Sequence, residues 1–186
     1  SDIQQRRVGL YSVAASPDGR YLVAGDSEGN VYLWDLQSAG PQAVRGVRLT
    51  KGRHGNDNTL THIYDIAFSP DGREFASVGV DGLLLRWILP GATKDLTDLA
   101  DRIVVERNPG LGERLYSVAY HPSRQGVVVT GGKRNIELVN MEQRGTLLAS
   151  PLASSDGAKG RWHAVAMDPQ GSTIAVARGD NFIEFW

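Results

Sequence analysis

Residues 64–87 read Tyr64-Asp-Ile-Ala-Phe-Ser-Pro70-Asp-Gly72-Arg-Glu-Phe-Ala-Ser-Val-Gly-Val-Asp81-Gly-Leu-Leu-Leu-Arg-Trp87. Three apolar runs, each too short for a helix, are separated by Ser-Pro-Asp-Gly and Asp-Gly, residues that accept the backbone angles of tight turns. The stretch therefore reads as three strands joined by hairpins. The pattern recurs. Tyr11-Ser-Val-Ala-Ala-Ser-Pro17-Asp-Gly19 precedes it, and Tyr116-Ser-Val-Ala-Tyr-His-Pro122 and His163-Ala-Val-Ala-Met-Asp-Pro169-Gln-Gly171 follow. The prolines are 53, 52 and 47 residues apart, and a second landmark (Trp34, Trp87, Val139, Trp186) stays 17 residues after its proline in all four copies. A fixed distance inside a varying period marks a rigid unit with variable loops around it.

Within each unit the innermost strand is expected at Leu10–Ala15, Ile63–Phe68, Leu115–Tyr120 and Trp162–Met167. The next is expected at Tyr21–Asp26, Glu74–Gly79, 126–131 and 173–178, and the third ends on the landmark residue. A fourth, outer strand is less clearly marked, with candidates at 43–49, Ile103–Arg107 and 146–150. Several strands carry apolar residues on both faces, as sheets packed on both sides do. Small antiparallel sheets stacked face to face are the blades of a propeller. The expected fold is all-β, one β-propeller segment over 1–186. Its blades span 8–49, 61–107, 113–150 and 161–186, the last lacking its outer strand. Substantial helix is expected nowhere except within 93–101.

Composition narrows the class. Twenty Lys and Arg balance 21 Asp and Glu, so the net charge of -1 argues against a nucleic-acid binder. The absence of cysteine excludes a disulfide scaffold, a thiolate metal site and a cysteine nucleophile. No apolar run is long enough to span a membrane, and a cytoplasmic location is expected. Met141 and Met167 are the only methionines, so the chain is expected to be a processed product or a piece of something longer.

Ser-Pro-Asp-Gly, a strand of small residues, and Gly-Asn-Val-Tyr-Leu-Trp34-Asp35 together resemble the WD-repeat family. Copies one and two carry the resemblance strongly. In copy three Val139-Asn140 replaces Trp-Asp, and copy four stops at its Trp. The family builds a tetrad from a His near the repeat start, a Ser or Thr in the second strand, an Asp in the turn and the Trp. The turn position here holds Glu28, Asp81, Lys133 and Asp180, and the His position holds Arg6, Thr59, Leu111 and Ala158. No copy is expected to complete the tetrad, which leaves the blades held by apolar packing and turns. The resemblance also implies a closed ring of about seven or eight blades, of which four would be roughly half. Either further blades from the same parent chain or a second copy of this chain would then cover the open ends. The alternative is a four-bladed ring closed by an N-terminal outer strand carrying Ile3 and Val8. Ser-Pro-Asp-Gly occurs as well in propellers of the TolB and lactonase type, and Gly131-Gly132 resembles the double glycine of kelch repeats.

Nothing in the sequence gathers catalytic residues. His54, His62, His121 and His163 form no metal-ligand spacing, no Gly-x-Ser-x-Gly elbow or phosphate-binding loop is present, and Gly131-Gly132-Lys133 reads as a turn. Ser12 and Ser117 are expected to act as small packing residues. No cofactor or metal is expected. The informative positions are those the WD-repeat family directs to its upper face. Six residues before each proline stand Tyr11, Tyr64, Tyr116 and His163, and two residues earlier stand Gly9, His62, Arg114 and Arg161. Rings at all four start positions exceed what an aromatic content of 8% would place there. Tyr and Arg are enriched where binding energy concentrates. Tyr11, Tyr64, Tyr116, His163, His62, Arg114, Arg161 and Lys133 are thus the candidate partner-binding residues around the channel mouth. They suit a peptide or protein loop with acidic character, though the same tyrosines would also serve as channel plugs. The variable loops at 50–61 and 89–102 are the other candidate determinants of specificity.

The function expected is a non-catalytic protein-interaction scaffold or sensor platform in a multidomain signalling or defence protein, binding neither nucleic acid nor membrane. The alternatives are a lactonase-like propeller hydrolase and a purely structural oligomerisation module.

Overall fold

A computed structural model of the chain describes residues 8–37, 47–50, 62–89, 103–107, 114–132, 136–142, 145–148 and 162–186. Every regular element among them is a strand. Blade one is β1 (Leu10–Ala15), β2 (Tyr21–Asp26), β3 (Val31–Asp35) and β4 (Val47–Thr50). Blade two is β5 (Ile63–Phe68), β6 (Glu74–Gly79), β7 (Leu83–Ile88) and β8 (Ile103–Arg107). Blade three is β9 (Leu115–Tyr120), β10 (Val127–Gly132), β11 (Ile136–Asn140) and β12 (Gly145–Leu148). Blade four is β13 (Trp162–Met167), β14 (Ile174–Arg178) and β15 (Ile183–Phe185). Each sheet is an antiparallel meander in chain order, with four strands in blades one to three and three in blade four. The inner strands β1, β5, β9 and β13 lie beside one another in that order.

The first turn of each blade shows why the repeat needs its residues. Gly19 N–H donates to the Ser16 carbonyl (2.9 Å) and Gly72 N–H to the Ser69 carbonyl (2.9 Å), with the two glycines at φ 70° and 68°. Proline before them fixes the entry to the turn. The serine hydroxyl donates to the turn aspartate, Ser16 to Asp18 at 2.5 Å and Ser69 to Asp71 at 2.7 Å. The same oxygen accepts the N–H of Tyr21 or Glu74, and so ties the turn to the start of the second strand. In blade four Asp168 alone receives the N–H groups of Ser172 and Thr173. In blade three the imidazole of His121 does so, Nδ1 accepting from Ser123 and Arg124.

Blade three departs from the expected strand map for a reason the spacing conceals. Tyr120 pairs with Val128, one residue further along than the equivalent pairs Phe68–Phe75 and Ala15–Leu22 require. Gly131 then pairs with Ile136, one residue sooner than Val78 pairs with Leu84. A longer first turn and a shorter second turn cancel, so the interval from Pro122 to Val139 is unchanged. The second strand consequently starts at Val127 rather than 126. Gly131 and Gly132 lie inside it and are buried, so the expected turn at Gly131-Gly132 is a strand end. The outer strands of blades one and three fall at Val47–Thr50 and Gly145–Leu148, within a few residues of the expected ranges. The possible helical turn at 93–101, and all but the first residue of each variable loop, lie outside the described residues.

The core lies between blades rather than within them. Tyr21, Val23, Val31 and Leu33 of blade one meet Ile63, Phe75, Leu85 and Trp87 of blade two. Val78 and Leu84 of blade two meet Leu115, Val118 and Val128 of blade three. Val129 and Ile136 of blade three meet Trp162 and Val165 of blade four. All six residues of β6 and all six of β10 are buried, which only a sheet covered on both faces permits. The end blades differ. Leu10 and Val13 on blade one are each 65% exposed, and Ile183 and Phe185 on blade four are 66% and 71% exposed.

Two details correct the sequence reading of how blades are held. Trp87 donates from Nε1 to Ser77 Oγ at 2.8 Å while its ring stacks on Phe75 at 5.4 Å, so blade two contains the Ser–Trp half of the tetrad. Its counterparts in register, Ala24 and Val176, carry no hydroxyl, and in blade three Thr130 stands at that place but Val139 replaces the Trp, which leaves the Thr130 hydroxyl buried without a partner. Glycine, meanwhile, sets the spacing at two interfaces. A Cβ on Gly25 would fall 2.5 Å from Ile63 Cγ2, and one on Gly131 would fall 2.8 Å from Val165 Cγ1.

Gly25→Ala and Gly131→Ala should each destabilise the protein by about 1–3 kcal/mol through overpacking, measured by urea denaturation. The turns add a pH dependence. Hydrogen bonds from the Ser16 hydroxyl, the Ser69 hydroxyl and the Thr173 N–H hold Asp18, Asp71 and Asp168 below the usual carboxylate range. Their contribution is complete above the unfolded-chain value of about 3.9 and is lost as pH falls through the lower folded-state values. Replacing all three with Asn should therefore shrink the loss of stability between about pH 5 and pH 2.5 relative to the unaltered chain.

Candidate functional site

The start of every inner strand carries the same irregularity. Leu10 pairs with Asp26 and Ser12 with Gly25, so Tyr11 has no place in the ladder. Tyr64 is skipped in the same way between Ile63–Gly79 and Asp65–Val78, Tyr116 between Leu115–Gly132 and Ser117–Gly131, and His163 between Trp162–Arg178 and Ala164–Ala177. These are β-bulges, which insert one residue into a strand and re-aim its side chain. Backbone bonds hold the bulged ends against the second turns. Ser27 N–H donates to the Gly9 carbonyl at 2.9 Å, and Val80 N–H to the His62 carbonyl at 3.0 Å.

The four bulges turn four rings onto one surface. Tyr11 stacks on His62 at 4.9 Å between centroids with the planes 19° apart. His62 meets Tyr64 edge-on at 6.1 Å. Tyr64 lies 5.1 Å from Tyr116, and Tyr116 lies 5.7 Å from His163. One unbroken row of five rings thus crosses all four blades, from residues up to 152 positions apart in sequence. Its middle members are half-buried, while Tyr11 at one end and His163 at the other are exposed. Arg114 is exposed beside the start of β9. Arg161 and Lys133 lie outside the described residues.

Beneath this row runs a polar relay the sequence reading missed. Asp65 Oδ2 accepts the Ser117 hydroxyl at 2.7 Å and the Val118 N–H at 3.0 Å, across the boundary between blades two and three. Ser117 Oγ in turn accepts the Val165 N–H at 3.2 Å, across the next boundary. Ser117 is therefore a hydrogen-bonding link between three blades and not a small packing residue. The relay fixes the inner strands relative to one another one residue below the rings. The available signal was a carboxylate, Asp65, inside an otherwise apolar strand.

The turn charges around the row are partly spoken for. Asp81 Oδ1 accepts the Leu83 N–H at 3.0 Å, and Asp180 pairs with Arg178 at 2.6 Å. Glu28 is exposed. Among the described residues, no three His, Asp or Glu side chains gather as metal ligands would, and no helix is long and apolar enough to cross a membrane.

Comparison with known proteins gives a consistent result. The family model described as "WD domain, G-beta repeat" matches residues 5–35 and 54–87, the first two blades. The chain is 36% identical over 78 residues to Protein LST8 homolog of Drosophila pseudoobscura pseudoobscura, covering 42% of this chain and 24% of that protein. It is 27% identical over 169 residues to the transcriptional corepressor LEUNIG_HOMOLOG of Arabidopsis thaliana, covering 90% of this chain and 18% of that protein. Among solved structures, the β-propeller domain of Cps50 (Swd1) from Myceliophteria thermophila superposes with a TM-score of 0.68 at 15% identity, over 97% of this chain and 54% of that one. The likeness shows the fold. The chain spans about half of that propeller domain and less than a quarter of the two relatives.

Ser117→Ala would strand the Val165 N–H and remove one donor from Asp65. It should cost about 1–3 kcal/mol in urea denaturation with the far-ultraviolet circular dichroism retained.

Proposed function

We propose that the four blades are part of a WD-repeat β-propeller and that the chain is a non-catalytic binding platform whose aromatic row receives an acidic segment of a protein partner. The observation that supports this reading is the row itself. Four bulges in four blades present rings on one face, and bulges recur where a side chain must be aimed. Tyrosine offers large contact area at low conformational cost, with a hydroxyl for polar contacts. Arg114, exposed beside the row, supplies charge-assisted hydrogen bonds to Asp, Glu or phosphate, and Arg161 holds the equivalent repeat position of the next copy in the sequence. A row of plugs would need its rings buried, whereas Tyr64 and Tyr116, in the middle of the row, are only half-buried.

The same reading includes the rest of a ring. Leu10 and Val13 at one end, and Ile183 and Phe185 at the other, resemble in chemistry the faces that are covered between blades. Apolar patches of this kind mark contact surfaces. Further blades of the same parent chain are the cover we propose, within a multidomain protein, and they fit the 54% of a propeller domain that the chain matches.

Two measurements test these readings. On an array of acidic, phosphorylated and basic peptides, the protein should retain the acidic and phosphorylated classes. Tyr64→Ala and Tyr116→Ala should each weaken that binding by about 2 kcal/mol, as for an anchor residue, while Gln37→Ala and Gln170→Ala on the opposite face should not. Unchanged affinity in the tyrosine variants, with the fold intact, would sink the binding role. The 186-residue chain alone should also bind an apolar dye strongly, and extending it by the missing blades should abolish that binding.

A further inference from the structure

The opposite face of the stack carries a second site, where β5 and β9 end. The first turns of blades two and three part there around a cleft of about 220 Å³ lined by Ser69, Asp71, Glu74, Tyr120, His121 and Arg124 among others. Two of its lining side chains are more than nine-tenths buried, Glu74 at 5% exposed and Tyr120 at 8%. Glu74 gives only one oxygen to Arg86, whose Nε (2.7 Å) and Nη2 both reach Oε2. Glu74 Oε1 and Tyr120 Oη are each buried without a hydrogen-bond partner. Folded proteins leave few such groups, and each one asks for an explanation.

Charge says what would complete them. Arg86 is shared between two carboxylates, since Glu142 also approaches it at 3.6 Å. Asp71 stands at the rim, kept ionised by the Ser69 hydroxyl. Arg124 is at the rim too, and Arg73 approaches Asp71 at 3.9 Å, but both arginines are exposed to water, Arg73 at 83% of its side chain. Burial, and then the Glu74 carboxylate that lies beside it, push the Tyr120 phenol well above its ordinary value, so it stays neutral, with its O–H toward Glu74 and its lone pairs free to accept a hydrogen bond. The two orphaned oxygens therefore call for a ligand that brings N–H donors together with positive charge. An anion would meet Glu74 and Asp71.

We propose that this cleft receives the cationic head of a lysine or arginine side chain from a partner, its N–H groups donating to Glu74 Oε1 and Tyr120 Oη. The site shares no residue with the aromatic row, so neither reading depends on the other. The cleft is large enough for an ammonium or guanidinium head with part of its alkyl stem.

The test is a nuclear magnetic resonance titration of the ¹⁵N-labelled protein at constant ionic strength with n-butylammonium, n-butylguanidinium and tetramethylammonium. The first two should give saturable shifts confined to the amides of 69–74 and 120–126. Tetramethylammonium, which carries charge but no N–H, should give none. Tyr120→Phe removes the hydroxyl from a well-packed ring and should weaken binding about 3–10-fold, the worth of one hydrogen bond. Glu74→Gln should weaken it further, and its melting temperature shows whether the Arg86 pairing survives. Equal shifts with tetramethylammonium, no saturation with either donor cation, or unaltered affinity in a folded Tyr120→Phe variant would each overturn the proposal.

Discussion

A small sheet that is apolar on both faces cannot stand alone in water. β6 and β10 have no face left for solvent, so their blades exist only as layers in a stack. Burial of apolar area supplies the attraction, and it acts without direction. Direction comes from two finer devices. Gly25 and Gly131 let neighbouring strands approach where any side chain would hold them apart. The Asp65–Ser117–Val165 relay then fixes the inner strands in one relative position.

Both candidate sites follow from that stacking. Blades splayed around an axis present the two ends of their inner strands on two different faces. At one end the bulges lift rings out of the ladder, and the fixed rotation from blade to blade places those rings in contact. At the other end the first turns separate, and the separation leaves Glu74 and Tyr120 looking into a cleft that neither blade fills. One face therefore carries the row of rings with Arg114 beside it, and the other carries the cleft lined by Glu74 and Tyr120.

The strand order was legible because hairpin turns leave strong marks. Pro-Asp-Gly and Asp-Gly fix where the chain reverses, and the apolar runs between them have only one regular use at that length. All four inner strands lie at the expected residues for this reason. The rings at Tyr11, Tyr64, Tyr116 and His163 were legible as a set because they hold equivalent repeat positions, and equivalence in a rotating stack means adjacency; His62, two residues before Tyr64, joins the row from the neighbouring position. The bulges were not legible, because a skipped residue changes nothing in the sequence except the phase of a strand only six residues long. The relay was hidden for another reason. Ser117 looks the same whether it packs or bonds, and its partners lie in two other blades. The cleft was hidden as well, since Glu74 and Tyr120 come from different repeats and different positions within them.

Blade three shows how the ladder measures length. Its first turn is longer by one residue and its second shorter by one, yet both flanking strands keep their register. The fixed quantity is the number of residues between two anchored strands, and the division of that number between turns is unconstrained. A residue gained in the first turn and one lost from the second thus leave β9 and β11 in the same relative register. Blade three thereby keeps its place in the stack although Val139-Asn140 stands where blade one has Trp34-Asp35.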